Sequence, residues 1–134
     1  MSEEPVNEKI VDDEWLARFI LYSRWIRSSD NTVKQDAFIP PQDSELSVTR
    51  HLDLSEAELW KTGQAVANTR SSTLYGRADL QAIATRNQSL EVRPDFPPKN
   101  HAIIIGWPDD KPAQKIIALE LARAAFYVSN PNPA

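Results

Sequence analysis

The chain has 134 residues, with fifteen Lys and Arg against nineteen Asp and Glu, a formal net charge of −4. Hydrophobic residues make up 41% and charged residues 25%, which suits one globular domain able to bury a core without metal or disulfide staples. The lack of cysteine excludes a disulfide framework, a Cys-ligated zinc site and a thiol nucleophile.

The charge is unevenly spread. Residues 1–14 hold six acids and Lys9 as their only base, whereas the rest of the chain is near neutral and nine of its fourteen bases are arginine. No Lys/Arg block appears, so general nucleic-acid binding is not expected, although an arginine-lined pocket is compatible with this composition. No apolar run approaches the roughly 18–20 residues that span a bilayer. Met1-Ser2-Glu3-Glu4-Pro5 lacks the basic-then-apolar order of a signal peptide. A cytoplasmic protein without membrane association is expected.

Residues 1–11 read as a mobile acidic lead, 12–128 as a single globular domain, and 129–134, with Pro131 and Pro133, as a loose tail. Asp12 and Asp13 stand where N-caps stand. Trp15, Phe19, Tyr22 and Ile26, widened by Leu16 and Ile20, follow at helical spacing and predict a helix over about 13–28. Ala37-Phe38-Ile39 before Pro40-Pro41 reads as a short extended piece. Leu46 to Arg50 alternates apolar and polar residues as a half-buried strand does.

Ser55 and Glu58 make a capping box, and Leu54 with Leu59 a hydrophobic staple. They predict a helix to about Thr69 with Leu59, Gly63, Val66 and Ala67 facing inward. Gly63 costs helix propensity, so a close backbone approach is expected there.

Residues 74–92 admit two readings. In one, Asp79 caps a short helix with Leu80, Ile83 and Ala84 inward. In the other, Leu74 to Thr85 is a long strand that returns through Leu90 and Val92. The alanines at 78, 82 and 84 favour the helix on propensity, and that reading is adopted. Leu90 to Arg93 reads as a strand, and Pro94, Pro97 and Pro98 as a stiff loop.

Ala102-Ile103-Ile104-Ile105 is a β-branched run expected in a strand covered on both faces. Asp109 and Asp110 offer a cap and Pro112 a first turn for a last helix. Ile116, Ile117, Leu119, Leu121 and Phe126 surround that helix and predict that it is largely buried. The fold class is therefore α+β, with a single layer of about three to four helices packed on a small, mostly antiparallel sheet.

Four constellations carry chemistry. His51 follows one strand and His101 precedes another, so antiparallel pairing could bring both imidazoles together. Tyr75-Gly76-Arg77-Ala78-Asp79 sets a guanidinium and a carboxylate beside a phenol, with turn and cap as the structural alternative. Asn100 to Asp110 ends at a helix N-terminus, but its two aspartates disfavour an anion and are too few to hold a hard cation. Trp25 and Trp60 fall off the expected core faces beside Arg24, Arg27 and Lys61, a composition that protein interfaces favour. The alternative is that both rings finish the core.

No Walker loop, GxGxxG, GxSxG, HExxH or EF-hand loop is present. The leading expectation is a small protein-binding module, an adaptor, inhibitor or accessory subunit without catalysis, contacting another protein through Trp25, Arg24, Arg27, Trp60 and Lys61, with self-association left open. The competing one is a metal-independent RNase, or a nucleotide-acting enzyme or toxin, using His51 and His101 with Tyr75 and Arg77. A third is recognition of a small anion by Arg50, Arg70 and Arg77. None calls for a metal or cofactor.

Overall fold

A computed structural model describes residues 9–132; the parts of the acidic lead and the tail at 1–8 and 133–134 lie outside the described residues. Eight strands and three helices follow in the order β1 (Trp15–Ile20), β2 (Ile26–Arg27), β3 (Thr32–Val33), β4 (Leu46–Arg50), α1 (Glu56–Thr69), β5 (Gly76–Gln81), α2 (Ala82–Arg86), β6 (Glu91–Pro94), β7 (His101–Ile105), α3 (Lys111–Ala124) and β8 (Phe126–Ser129). Six strands form one sheet in the order β6-β7-β4-β1-β5-β8, antiparallel at every pairing, while β2 and β3 form a separate hairpin. The α+β class and the mostly antiparallel sheet are as expected.

The expected helix over 13–28 is instead β1, a 3-10 turn at Ser23–Trp25 and β2. The reason is burial on both faces. Leu16 and Ile20 join the larger core cluster with Ala118 and Leu121 of α3, whereas Ala17 and Phe19 join the smaller one with Leu59 and Ala67 of α1. A central strand with two apolar faces loses its period-2 alternation, and its apolar residues then match a helical stripe equally well. The same alternation shows that α1 and α3 cover opposite faces of the sheet, so the helices are not confined to one layer.

Asp12 and Asp13 cap no helix. Asp12 pairs with Arg86 at 2.7 Å, and Gln81 donates to the Asp13 carbonyl. Ile10 is buried, and its carbonyl accepts from Arg86, so the chain is anchored from residue 9 or 10 onward.

The segment 74–92 combines both readings. Gly76 to Gln81 is a strand between β1 and β8, and the helix begins only at Ala82. Pairing on both edges overrides the alanine propensity. Asp79 therefore sits in a ladder opposite Ala17 and Phe126, not at a cap. Gly76 makes no turn; a Cβ there would lie 2.5 Å from the Val128 carbonyl oxygen, so glycine permits the close approach of β8.

β4 and α1 form where expected, and both halves of the capping box are made: Ser55 Oγ accepts from the Glu58 amide, and Glu58 Oε1 from the Ser55 amide. β7 is buried through Ala102, Ile103 and Ile104, and Asp110 caps α3 by accepting from the Ala113 amide. The third helix is less buried than expected. Only Gln114, Ala118, Leu121 and Ala122 are buried; Ile116 is 65% exposed, and Phe126 lies beyond the helix at the start of β8. Ala37-Phe38 belong to a 3-10 turn, Gln35–Phe38, rather than an extended piece. Ser129 ends β8, and Asn130 is fixed by bonds to the carbonyls of Tyr75 and Leu74.

β1 and β4 pair only at Leu16–Arg50 and Ala17–Thr49, and then separate. Arg18 bridges the gap, donating from Nη1 to the Ser47 carbonyl and from Nε to the Ala37 carbonyl.

Candidate functional site

Period 2 along β5 puts Arg77 and Asp79 on the face covered by α1. Their side chains bond directly, with Arg77 Nε 3.0 Å from Oδ1 and 3.1 Å from Oδ2 of Asp79. Glu56, in the first turn of α1, accepts from Nη1 at 2.8 Å and from Nη2 at 3.2 Å, a two-pronged clasp suited to the planar guanidinium. Trp60, one turn further on, lays its ring 4.6 Å from Arg77 Cζ. His51, just past β4, completes the chain with Nε2 3.1 Å from Asp79 Oδ1.

The result is a line of four charged or titratable groups, Glu56–Arg77–Asp79–His51. Its side chains are 64%, 6%, 12% and 25% exposed in that order, so the middle is buried and the ends are open. Burial works against the Arg77 charge, but the bonds from Glu56 and Asp79 more than offset it, and the guanidinium titrates above its ordinary value. The bond from Arg77 likewise holds the Glu56 carboxyl below the usual carboxylate range.

Beside His51 and Asp79 lie two aromatic rings. Trp15 and Phe126 have centroids 6.0 Å apart at an interplanar angle of 55°, and are 37% and 64% exposed. With His51 and Asp79 they line an open recess of about 340 Å³. It is lined by two apolar rings and by two polar side chains held through hydrogen bonds, a combination that orients a bound side chain. Trp15, expected in a core stripe, is thus a surface ring. The helical spacing over 13–28 hides Trp15, and the largely buried helix expected through Phe126 hides β8.

The other sequence candidates disperse. His101 is engaged elsewhere, with Nδ1 3.0 Å from the Asp95 carbonyl oxygen and 3.1 Å from its carboxylate, and it does not line the recess of His51. Tyr75 packs against the core on the α3 side, away from Arg77. Arg50 is buried and paired with Glu14. Arg70 is exposed at the end of α1.

Trp25 and Trp60 are half-buried and pack against different core clusters. Trp25 meets Tyr22 edge-on at 4.8 Å and Trp60 stacks on Arg77. Arg24 lies over Tyr22, Arg27 bonds Thr32, and Lys61 is exposed beside Trp60.

Among the described residues, no group of three or more His, Asp or Glu side chains is placed to hold a metal ion, and no hydroxyl bonds the His51 imidazole. No helix is long and apolar enough to cross a membrane among the described residues. Comparison of the chain with protein-family models, curated proteins and solved structures yields no match.

Proposed function

We propose that this protein is a binding module, without catalysis of its own, that engages another protein through Trp15, Phe126 and the recess beside them. The observation that carries this reading is the exposure of two neighbouring aromatic rings that line one recess with the hydrogen-bonded His51 and Asp79. Rings of this kind dominate the energetics of protein interfaces, because they contribute large contact areas at small entropic cost. The Arg77–Asp79 bond holds His51 in place, so a partner meets a preorganised hydrogen-bonding group. The surface differs from the one expected around Trp25 and Trp60, whose rings are largely occupied within the fold.

Recovery of partners from host extract on the immobilised protein tests it. The Trp15→Ser, Phe126→Ser double variant loses the specific partner, whereas Ile116→Ser, a change at an exposed apolar residue of α3, retains it. Equal recovery on all three proteins would overturn the reading.

One observation favours a second reading, an enzyme acting on RNA or a nucleotide: His51 is held by Asp79, as general bases often are. In that case the purified protein cleaves bulk RNA and His51→Ala abolishes the cleavage. His101, engaged with Asp95, is not the partner base of this version.

A further inference from the structure

Most of the sheltered arginines of this protein are matched with carboxylates. Arg50 pairs with Glu14, Arg77 with Glu56 and Asp79, and Arg86 with Asp12 and Glu91. Arg18 breaks the pattern. Its Nε donates to the Ala37 carbonyl at 2.7 Å and its Nη1 to the Ser47 carbonyl at 3.1 Å, while its Cζ lies 5.3 Å from the centre of the Trp25 ring. No carboxylate pairs with it among the described residues, and Nη2 has no protein acceptor there. The charge that bears on it most is another cation. Burial first, and then the neighbouring Arg70, bring the Arg18 guanidinium down to about 10, so it stays protonated at neutral pH.

A sheltered cation facing a like charge is an unfavourable arrangement unless an anion completes it. The place for one exists. Where β1 and β4 separate, a largely enclosed cavity of about 40 Å³ opens between them, lined by Arg18, Trp25, Thr49, Val66 and Arg70 among others. That is room for about three water molecules, or for one small tetrahedral ion in their stead, and for no sugar or ring. Thr49 is buried, and its hydroxyl makes no hydrogen bond among the described residues. Two guanidinium groups and a hydroxyl at one small cavity are the donors an oxyanion needs, and planar guanidinium groups suit its paired oxygens.

We propose that this cleft is an oxyanion site that takes phosphate, free or as the terminal group of a phosphomonoester, between Arg18 and Arg70 with Thr49 as a further donor. The site is separate from the Trp15–Phe126 recess and does not depend on it. The opposing account is purely structural: two carbonyls and the Trp25 ring suffice for Arg18, and Arg70 only complements the negative end of α1.

Thermal unfolding of the full-length chain at constant ionic strength, with chloride as the reference salt, decides between them. Sodium phosphate and phenyl phosphate are titrated in separate arms. A saturable rise in Tm of roughly 3–5 °C at ten times the dissociation constant is expected. It disappears in Arg70→Gln, which keeps the fold because the side chain is exposed and its loss removes like-charge repulsion. A rise with phosphate alone assigns the free ion; a rise with phenyl phosphate, with or without the first, assigns the phosphoryl end of a larger ligand. No saturable rise in either arm, or the same rise in Arg70→Gln, overturns the proposal.

Discussion

Arg77 and Asp79 stand two residues apart on one face of β5, and the guanidinium of the first holds the carboxylate of the second at 3.0 Å. This single bond links the helix above the sheet to the recess at its end, since Glu56 grips Arg77 from one side and His51 meets Asp79 on the other. Removing one partner of a buried ionic pair costs far more than the pair itself contributes, because the remaining charge is left unmatched. Arg77→Met is therefore expected to lower stability by about 3 kcal/mol. Glu56→Gln, which alters an exposed carboxylate, costs less than about 1 kcal/mol. Urea denaturation checks both, and equal losses would show that the burial of Arg77 is not what matters.

Glu14 and Arg50 form a second sheltered pair, 6% and 2% exposed. Arg50→Met alone is expected to cost about 3–5 kcal/mol, because Glu14 is left charged inside the protein. Adding Glu14→Leu recovers more than half of that loss, since an apolar pair of similar volume carries no desolvation penalty. A double-mutant cycle on denaturation midpoints measures the recovery. A double variant as unstable as the single one would contradict the argument.

Gly63 tests packing against propensity. Alanine is the better helix former by about 1 kcal/mol. Its methyl group, however, would sit 2.6 Å from Cε1 of the buried Phe19 ring and 3.1 Å from Leu74. Overpacking outweighs the gain, and Gly63→Ala is expected to destabilise by about 1–2 kcal/mol net. A rise in Tm would show that the Phe19 ring yields easily.

Acid sensitivity follows from three glutamates. Arg77 holds Glu56, the Ser55 amide holds Glu58, and Arg86 holds Glu91, each below the ordinary carboxyl value of 4.5. A depressed folded-state value means that the unfolded chain binds the proton first. The stability these groups add is complete above about pH 4.5 and is lost as pH falls through their folded-state values. Tm should be level between pH 7 and 5.5 and fall below about 4.5, less steeply in Glu91→Gln. An unchanged slope in that variant would remove Glu91 from the explanation.

The fold was legible where local chemistry decides the outcome. Ser55 and Glu58 announce α1, Asp110 announces α3, and the run at 102–105 announces a strand covered on both faces. It was obscured where tertiary pairing decides. β1 is apolar at Leu16, Ala17, Phe19 and Ile20 because both of its faces are covered, and nothing local distinguishes that pattern from a helical stripe. The same ambiguity extends to the site. Once β1 and β5 are strands, Trp15 moves from core to surface and Arg77 and Asp79 become neighbours on one face. The string from Tyr75 to Asp79 stands out by residue type alone. Its carboxylate partner Glu56 lies 21 positions away from Arg77, and no spacing rule reaches it.

The central claim is that the Trp15–Phe126 surface meets a protein partner, and site-specific photo-crosslinking tests it most directly. A benzophenone side chain is placed at position 126, and in a second protein at position 116, an equally exposed site on α3. Irradiation in host extract should give a discrete higher-mass adduct from position 126 and none from 116. Adducts from 116 alone, or from neither, would contradict the claim.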